Sequence, residues 1–189
     1  MSKNLAGPAR LTARIIGLIY LAGFAVGLTG SPLLQGASPV LVAVGAVLWL
    51  TAAVGDAAHG VLMFPVLWIR APRSAVGYLA ARVADALLIS LMVLFALVPE
   101  AKAAETQAYN LGMVAVAVSG LVLNAAFFQT GLLPRWLALW GLGGYTLLLV
   151  GMISELFASG LGLVSTIPGG LWEIFTGVWL LAKGFESKD

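Results

Sequence analysis

Apolar residues run along this chain in long blocks, and short clusters of proline, glycine and charge separate them. A helix crossing a hydrocarbon layer of roughly 30 Å needs about 20 such residues at about 1.5 Å of rise each. Six blocks reach or approach that length, and they predict spans at 11–28, 39–69, 74–98, 109–129, 135–157 and 171–185. The first should stop at Gly30-Ser31-Pro32. The second opens on Pro39, which suits a first helical turn, and a kink is expected at Pro65 near its far end. The turn at 70–73 is short enough to make spans two and three antiparallel neighbours. Residues 100–107 and 158–170 read as loops, 130–134 as a hairpin and 186–189 as a polar tail. The expected fold is all-α, a polytopic bundle of six transmembrane helices forming one domain over 1–189.

Composition makes lipid the solvent. Apolar residues make up 61% of the 189 and charged residues only 10%, where a soluble domain carries about 25% charged residues. Mean hydropathy is +1.02. So little charge cannot cover the exterior of a soluble fold of this size. Disordered, coiled-coil, collagen-like and nucleic-acid-binding chains are excluded on the same ground, and the partner expected is the bilayer itself.

Charge then gives orientation, because Lys and Arg collect on cytoplasmic segments. With both termini cytoplasmic, the inner side receives Lys3, Arg10, Arg14, Arg70, Arg73, Arg135, Lys183 and Lys188. The outer side receives only Lys102, and Arg82 lies within span three. The bias survives only for an even number of spans, and it places the chain in the cytoplasmic membrane. Lys3, Arg10 and Arg14 before an apolar run have the look of a signal peptide, but no A-x-A site follows, so the segment reads as a retained first span. Trp68, Trp136 and Tyr78 are expected at the inner interface, and Trp172 and Tyr109 at the outer one. Small residues such as Gly23 and Gly27, or Gly141, Gly144 and Gly151, read as close helix-packing positions.

Four ionisable residues sit where lipid should exclude them. A charge at the bilayer centre costs about 2.5–3.5 kcal/mol on insertion scales, so it needs a partner or a watery cavity. Asp56 and His59 lie deep in span two, Arg82 and Asp85 in span three. Each pair has the i,i+3 spacing that puts both residues on one helix face. Counted from the 70–73 turn, all four fall at comparable depths. They should form one cluster in which Arg82 pairs with Asp85 or bridges to Asp56, with His59 beside them and Ser90 and Asn124 extending it. Two roles stay open: a proton or ion relay or ligand site, and a neutralising network that only fixes helix register. Glu155 should emerge near the outer interface. Glu173 falls in the first turn of span six, where an acid complements the helix dipole. Glu155, Glu173 and Asn124 are secondary candidates, while Asn110 and Gln107 read as solvated.

The remaining chemistry is narrow. There is no Cys and one His, so thiol chemistry, multi-histidine metal sites and bis-histidine haem are excluded. No G-x-S-x-G, P-loop or mid-span lysine occurs, and Ser119-Gly120 lacks the glycine and the histidine that a serine protease pair needs. No catalytic residue, cofactor or metal is assigned. Three classes remain: a small carrier or channel using the polar cluster, an accessory or sensor protein acting through a lipid or protein partner, and an intramembrane enzyme on lipid-like substrates. The last would rest on Glu155 and Glu173 as paired carboxylates.

Several segments resemble a bacterial multi-span family catalogued as domain of unknown function 4386. They are Arg14-Ile-Ile-Gly-Leu-Ile-Tyr20, Gly77-Tyr-Leu-Ala-Ala-Arg-Val-Ala-Asp85, Gly131-Leu-Leu-Pro-Arg135 followed by Gly141-Leu-Gly-Gly-Tyr145, and Glu173-Ile-Phe-Thr-Gly-Val-Trp-Leu-Leu-Ala-Lys-Gly-Phe185. The resemblance covers nearly the whole chain in consistent order. It implies six spans and points at Arg82, Asp85 and Glu173, with Asp85 standing where the family is associated with glutamate. It supplies no activity.

Overall fold

In a computed structural model, the described residues are 6–157 and 159–186, with side chains from Arg10 onward. Lys3 and Lys188 of the charge count lie outside them. The described chain forms six α-helices: α1 Ala6–Leu34, α2 Pro39–Trp68, α3 Pro72–Ala96, α4 Lys102–Thr130, α5 Arg135–Glu155 and α6 Gly162–Ala182. A 3-10 turn at Pro99–Ala101 precedes α4. Each helix packs on its chain neighbours, and α6 packs back on α1, so the six form a closed ring. Residue pairs that meet across neighbours, such as Gly60 with Arg82, Gly144 with Gly169 and Gly17 with Gly177, run in opposite chain directions. The termini and the α2–α3 and α4–α5 turns therefore share one end of the ring, the terminal end. The other three connections share the opposite end, the loop end.

Sequence signals fix most boundaries. Pro39 and Pro72 open α2 and α3, where a missing N–H costs nothing. Gly131 ends α4 in the left-handed conformation (φ 67°), and its N–H reaches the Phe127 carbonyl at 2.9 Å.

Three expected breaks are instead helix. α1 continues through Gly30-Ser31-Pro32 to Leu34. Thr29 and Ser31 turn their hydroxyls back onto the Ala25 and Gly27 carbonyls at 2.8 and 3.2 Å, and Pro32 lies in the last turn, where its lost hydrogen bond matters least. The loop expected at 100–107 is the 3-10 turn and the start of α4, stabilised by Lys102 on Glu105 at 2.8 Å. The loop expected at 158–170 shrinks because α6 starts at Gly162 and runs through Pro168. Ser165 and Thr166 bond back to the Gly162 and Leu163 carbonyls, at 2.7 and 2.6 Å.

The surface is inverted relative to a soluble protein. Leu18, Val54, Leu87, Val118, Val150 and Val178, one from each helix, are exposed, while Arg82, Asp85, His59 and Asn124 are buried. Five of the helices are long and apolar enough to cross a bilayer. α6, at 21 residues, is not among these five.

Candidate functional site

Arg82 is the hub of the buried polar residues. Its Nη1 donates to Asp56 Oδ1 at 2.8 Å and to Asp85 Oδ2 at 3.4 Å, so the two pairings expected as alternatives are both made. Its Nε donates to the Tyr78 hydroxyl at 3.0 Å. That hydroxyl is in turn hydrogen-bonded to His59 Nδ1. The result is a continuous chain from Asp56 through Arg82 and Tyr78 to His59. Gly60 makes room for it: a Cβ there would lie 3.0 Å from that of Arg82.

From Tyr78 and His59 of this chain an aromatic layer extends across five of the six helices. Tyr78 of α3 meets His59 of α2, His59 meets Tyr20 of α1 (centroids 4.6 Å), Tyr20 meets Trp172 of α6 (5.7 Å), and Trp172 meets Tyr145 of α5 (5.5 Å). All five rings are buried, and each contact is edge-to-face, the arrangement aromatic quadrupoles prefer. Trp172 is pinned by its indole N–H on the Leu137 carbonyl at 2.7 Å. At the α5 end, the Tyr145 hydroxyl donates to Glu173 Oε1 at 2.6 Å.

On the loop side of this layer lies an open cavity of about 590 Å³. It runs from Ser31, Pro32, Leu163 and Thr166 down to Asp56, Arg82, Asp85 and Glu173, with Tyr145 beside them. Asp56 is the most accessible member of the ion-paired group, its side chain 28% exposed against 4% for Arg82 and 0% for Asp85. Glu173 is half-buried. Glycines of α1 meet different surroundings along the helix. At the terminal end a Cβ on Gly17 would sit 2.6 Å from the Gly177 carbonyl oxygen. Farther along α1, Gly23 and Gly27 have nothing within 4 Å of where a Cβ would lie, and both line the cavity. These two glycines clear space; they do not pack helices as the sequence suggested. Gly141, Gly144 and Gly151 do pack closely, against Asn124, Gly169 and Ser165.

Asp56, His59, Arg82 and Asp85 thus come together; of the secondary candidates, Glu155 ends α5 at the loop end, while Glu173 and Asn124 do not fall where expected. Glu155 takes the capping role expected of Glu173, because α6 begins nine residues before the predicted span. Glu155 Oε2 accepts from the Gly162 N–H at 3.0 Å and so caps α6, while Glu173 lies mid-helix on the cavity floor. Gly162 and Glu173 are eleven residues apart, about 16 Å along a helix, so the two carboxylates do not form the pair an enzyme would need. Asn124 joins no cluster; its Nδ2 bonds the Gly120 carbonyl of its own helix at 2.9 Å and it faces Gly141. Ser90 likewise bonds within its helix, to the Ala86 carbonyl. Asn110 is buried beside a smaller pocket of about 150 Å³, not solvated. Tyr78 and Trp172 are core residues, not interfacial ones, whereas Trp68 and Trp136 are exposed.

Sequence reasoning missed Tyr20, Tyr145 and the inward role of Tyr78. The signal was present: Tyr78 stands four residues before Arg82 on the same helix face, and a mid-span tyrosine hydroxyl needs a partner. Tyr145→Phe is expected to cost about 1–3 kcal/mol by stranding Glu173, read as a lower thermal midpoint in detergent. An unchanged midpoint would mean that Glu173 does not depend on this donor.

An all-helical ring with an apolar exterior and charged residues within is the architecture of a multi-pass integral membrane protein. The chain belongs to a particular family of these: residues 15–184 match the family described as Domain of unknown function (DUF4386). No curated protein and no solved structure matches the chain.

Proposed function

We propose that the chain is a six-span carrier of the cytoplasmic membrane, with both termini inside and a central cavity that binds solute from the outer face. The observation that carries this reading is the cavity of about 590 Å³ ending on Asp56, Arg82, Asp85 and Glu173. Its size falls in the range of small-molecule sites, about 300–1,000 Å³. A network that served only helix register would have no need of a solvent-reached carboxylate at the base of a cavity. The buried rings of Tyr20, His59, Tyr78, Trp172 and Tyr145, packed edge to face beside the cavity, support a carrier over an open channel. Asp56, the most accessible carboxylate of the ion-paired group, is the group that would carry a coupled proton, since Arg82 only donates to its neighbours and stays charged.

For orientation, Arg10, Arg14, Arg70, Arg73, Arg135 and Lys183 lie toward the terminal end, and Lys102 alone lies at the loop end. α6, at 21 residues, is long enough for a sixth crossing. The absence of Cys makes a clean test, because any introduced thiol is unique. A membrane-impermeant maleimide added to intact cells should label a Lys102→Cys variant and leave Arg73→Cys unlabelled until the cells are opened. The reverse pattern would invert the orientation.

Transport is tested in vesicles from overproducing cells, loaded with a pH-sensitive dye and challenged with amines, amino acids, sugars and carboxylates. A solute that moves with protons changes the dye signal in wild-type vesicles, and Asp56→Asn should reduce that change at least tenfold. No response to any member above control vesicles would count against the carrier and favour an accessory or sensor role.

A further inference from the structure

We infer that the cavity is built for a small organic cation with an apolar body. The inference rests on the cavity being a solute site and adds the class of solute. Three observations meet here.

The first is charge. Three helices deliver carboxylates to the floor, Asp56 from α2, Asp85 from α3 and Glu173 from α6, against a single guanidinium. Arg82 already serves both aspartates, and Glu173 has only the Tyr145 hydroxyl. His59 faces Tyr78 and Tyr20 and does not line the cavity. The loop end has the same sign: Glu100, Glu105 and Glu155 stand there against Lys102 alone, which is spent on Glu105. A cation meets a favourable field along the whole approach, and an anion meets repulsion.

The second is an unfilled acceptor. Asp85 is fully buried, lines the cavity, and its Oδ1 has no hydrogen-bond partner among the described residues. A buried carboxylate oxygen without a donor costs free energy, and an ammonium on the floor supplies that donor.

The third is the wall. Phe24, Trp49, Ile89, Met113, Leu148 and Ile167 line the space above the floor. An inorganic ion would exchange its hydration shell for these side chains at a loss, and among the described residues no three His, Asp or Glu side chains are grouped to hold a metal. An alkyl or aryl body gains by burial there.

The test uses the full-length protein in nanodiscs with one introduced thiol, Gly23→Cys, at a wall position with open space around it. Three phenyl probes of similar size compete with maleimide labelling: benzyltrimethylammonium, benzyl alcohol and benzoate. The expected result is that the thiol is labelled and that the cation slows labelling at concentrations at least tenfold below those needed by the other two. Adding Asp85→Asn, or separately Glu173→Gln, should weaken protection by the cation about tenfold while labelling persists. Equal or better protection by benzyl alcohol or benzoate would overturn the cation assignment and leave a solute cavity standing. Labelling that no probe slows would overturn the assignment as well. A thiol labelled only after denaturation in SDS would overturn both the assignment and the carrier reading.

Discussion

Arg82→Ala is expected to be the most damaging single change in this protein. It leaves Asp85 buried with no positive partner, removes the donor to Asp56 and strips the Tyr78 hydroxyl of its Nε contact. Breaking a buried ion pair from one side costs about 3–5 kcal/mol, because the remaining charge stays in a poor solvent. The variant should aggregate on extraction or melt far below wild type in a detergent thermal assay. Arg82→Lys should recover only part of the loss, since one ammonium cannot reproduce the fork that reaches two carboxylates and a hydroxyl. The informative partner is the triple variant Arg82→Met, Asp56→Asn, Asp85→Asn. It leaves no charge stranded, so most of the stability should return while solute protection stays lost. Return of both would reduce the cluster to a register device. A single Arg82→Ala protein with a wild-type midpoint would mean that the four groups do not interact as described.

Gly17→Val should have the second-largest effect, through a different cause. A Cβ at position 17 meets backbone, the Gly177 carbonyl oxygen at 2.6 Å and the Leu181 amide nitrogen at 3.3 Å, so no side-chain rotation relieves it. Without a hydrophobic force between helices in lipid, close contact is what holds such a seam, and parting α1 from α6 opens the ring. Overpacking of this kind costs about 1–3 kcal/mol and occasionally more, read as a lower thermal midpoint in the same assay. Gly23→Val, six residues farther along the same helix, should leave the midpoint within about 0.5 kcal/mol of wild type, because only open space surrounds it. Equal destabilisation by both would contradict the different surroundings of Gly17 and Gly23.

The polar cluster was legible because its ingredients are local. A two-helix hairpin with a short turn sets the relative depth of residues counted from that turn, and i,i+3 spacing sets the face, so Asp56, His59, Arg82 and Asp85 had to meet if the helices were neighbours. Glu173 was misread because its role depends on where α6 begins, and Pro168 and its glycines look like a loop to any local rule. The helix persists there because Ser165 and Thr166 return their hydroxyls to its carbonyls and Glu155, from the preceding helix, caps its first turn. Gly23 and Gly27 were misread for a related reason: a missing Cβ permits close approach or empty space, and sequence does not distinguish the two.

Sequence alone therefore determined the solvent of this protein, its helical class, its family and the hairpin that carries four charges, because hydropathy and short-range spacing act within one or two helices. Tertiary structure decided what those charges face. Closing α6 onto α1 at Gly17 and Gly177 brings Glu173 to the floor, links five aromatic rings into one layer and leaves a cavity above them. Each of these needs helices that are distant in the chain, and their approach is set by packing around the whole ring.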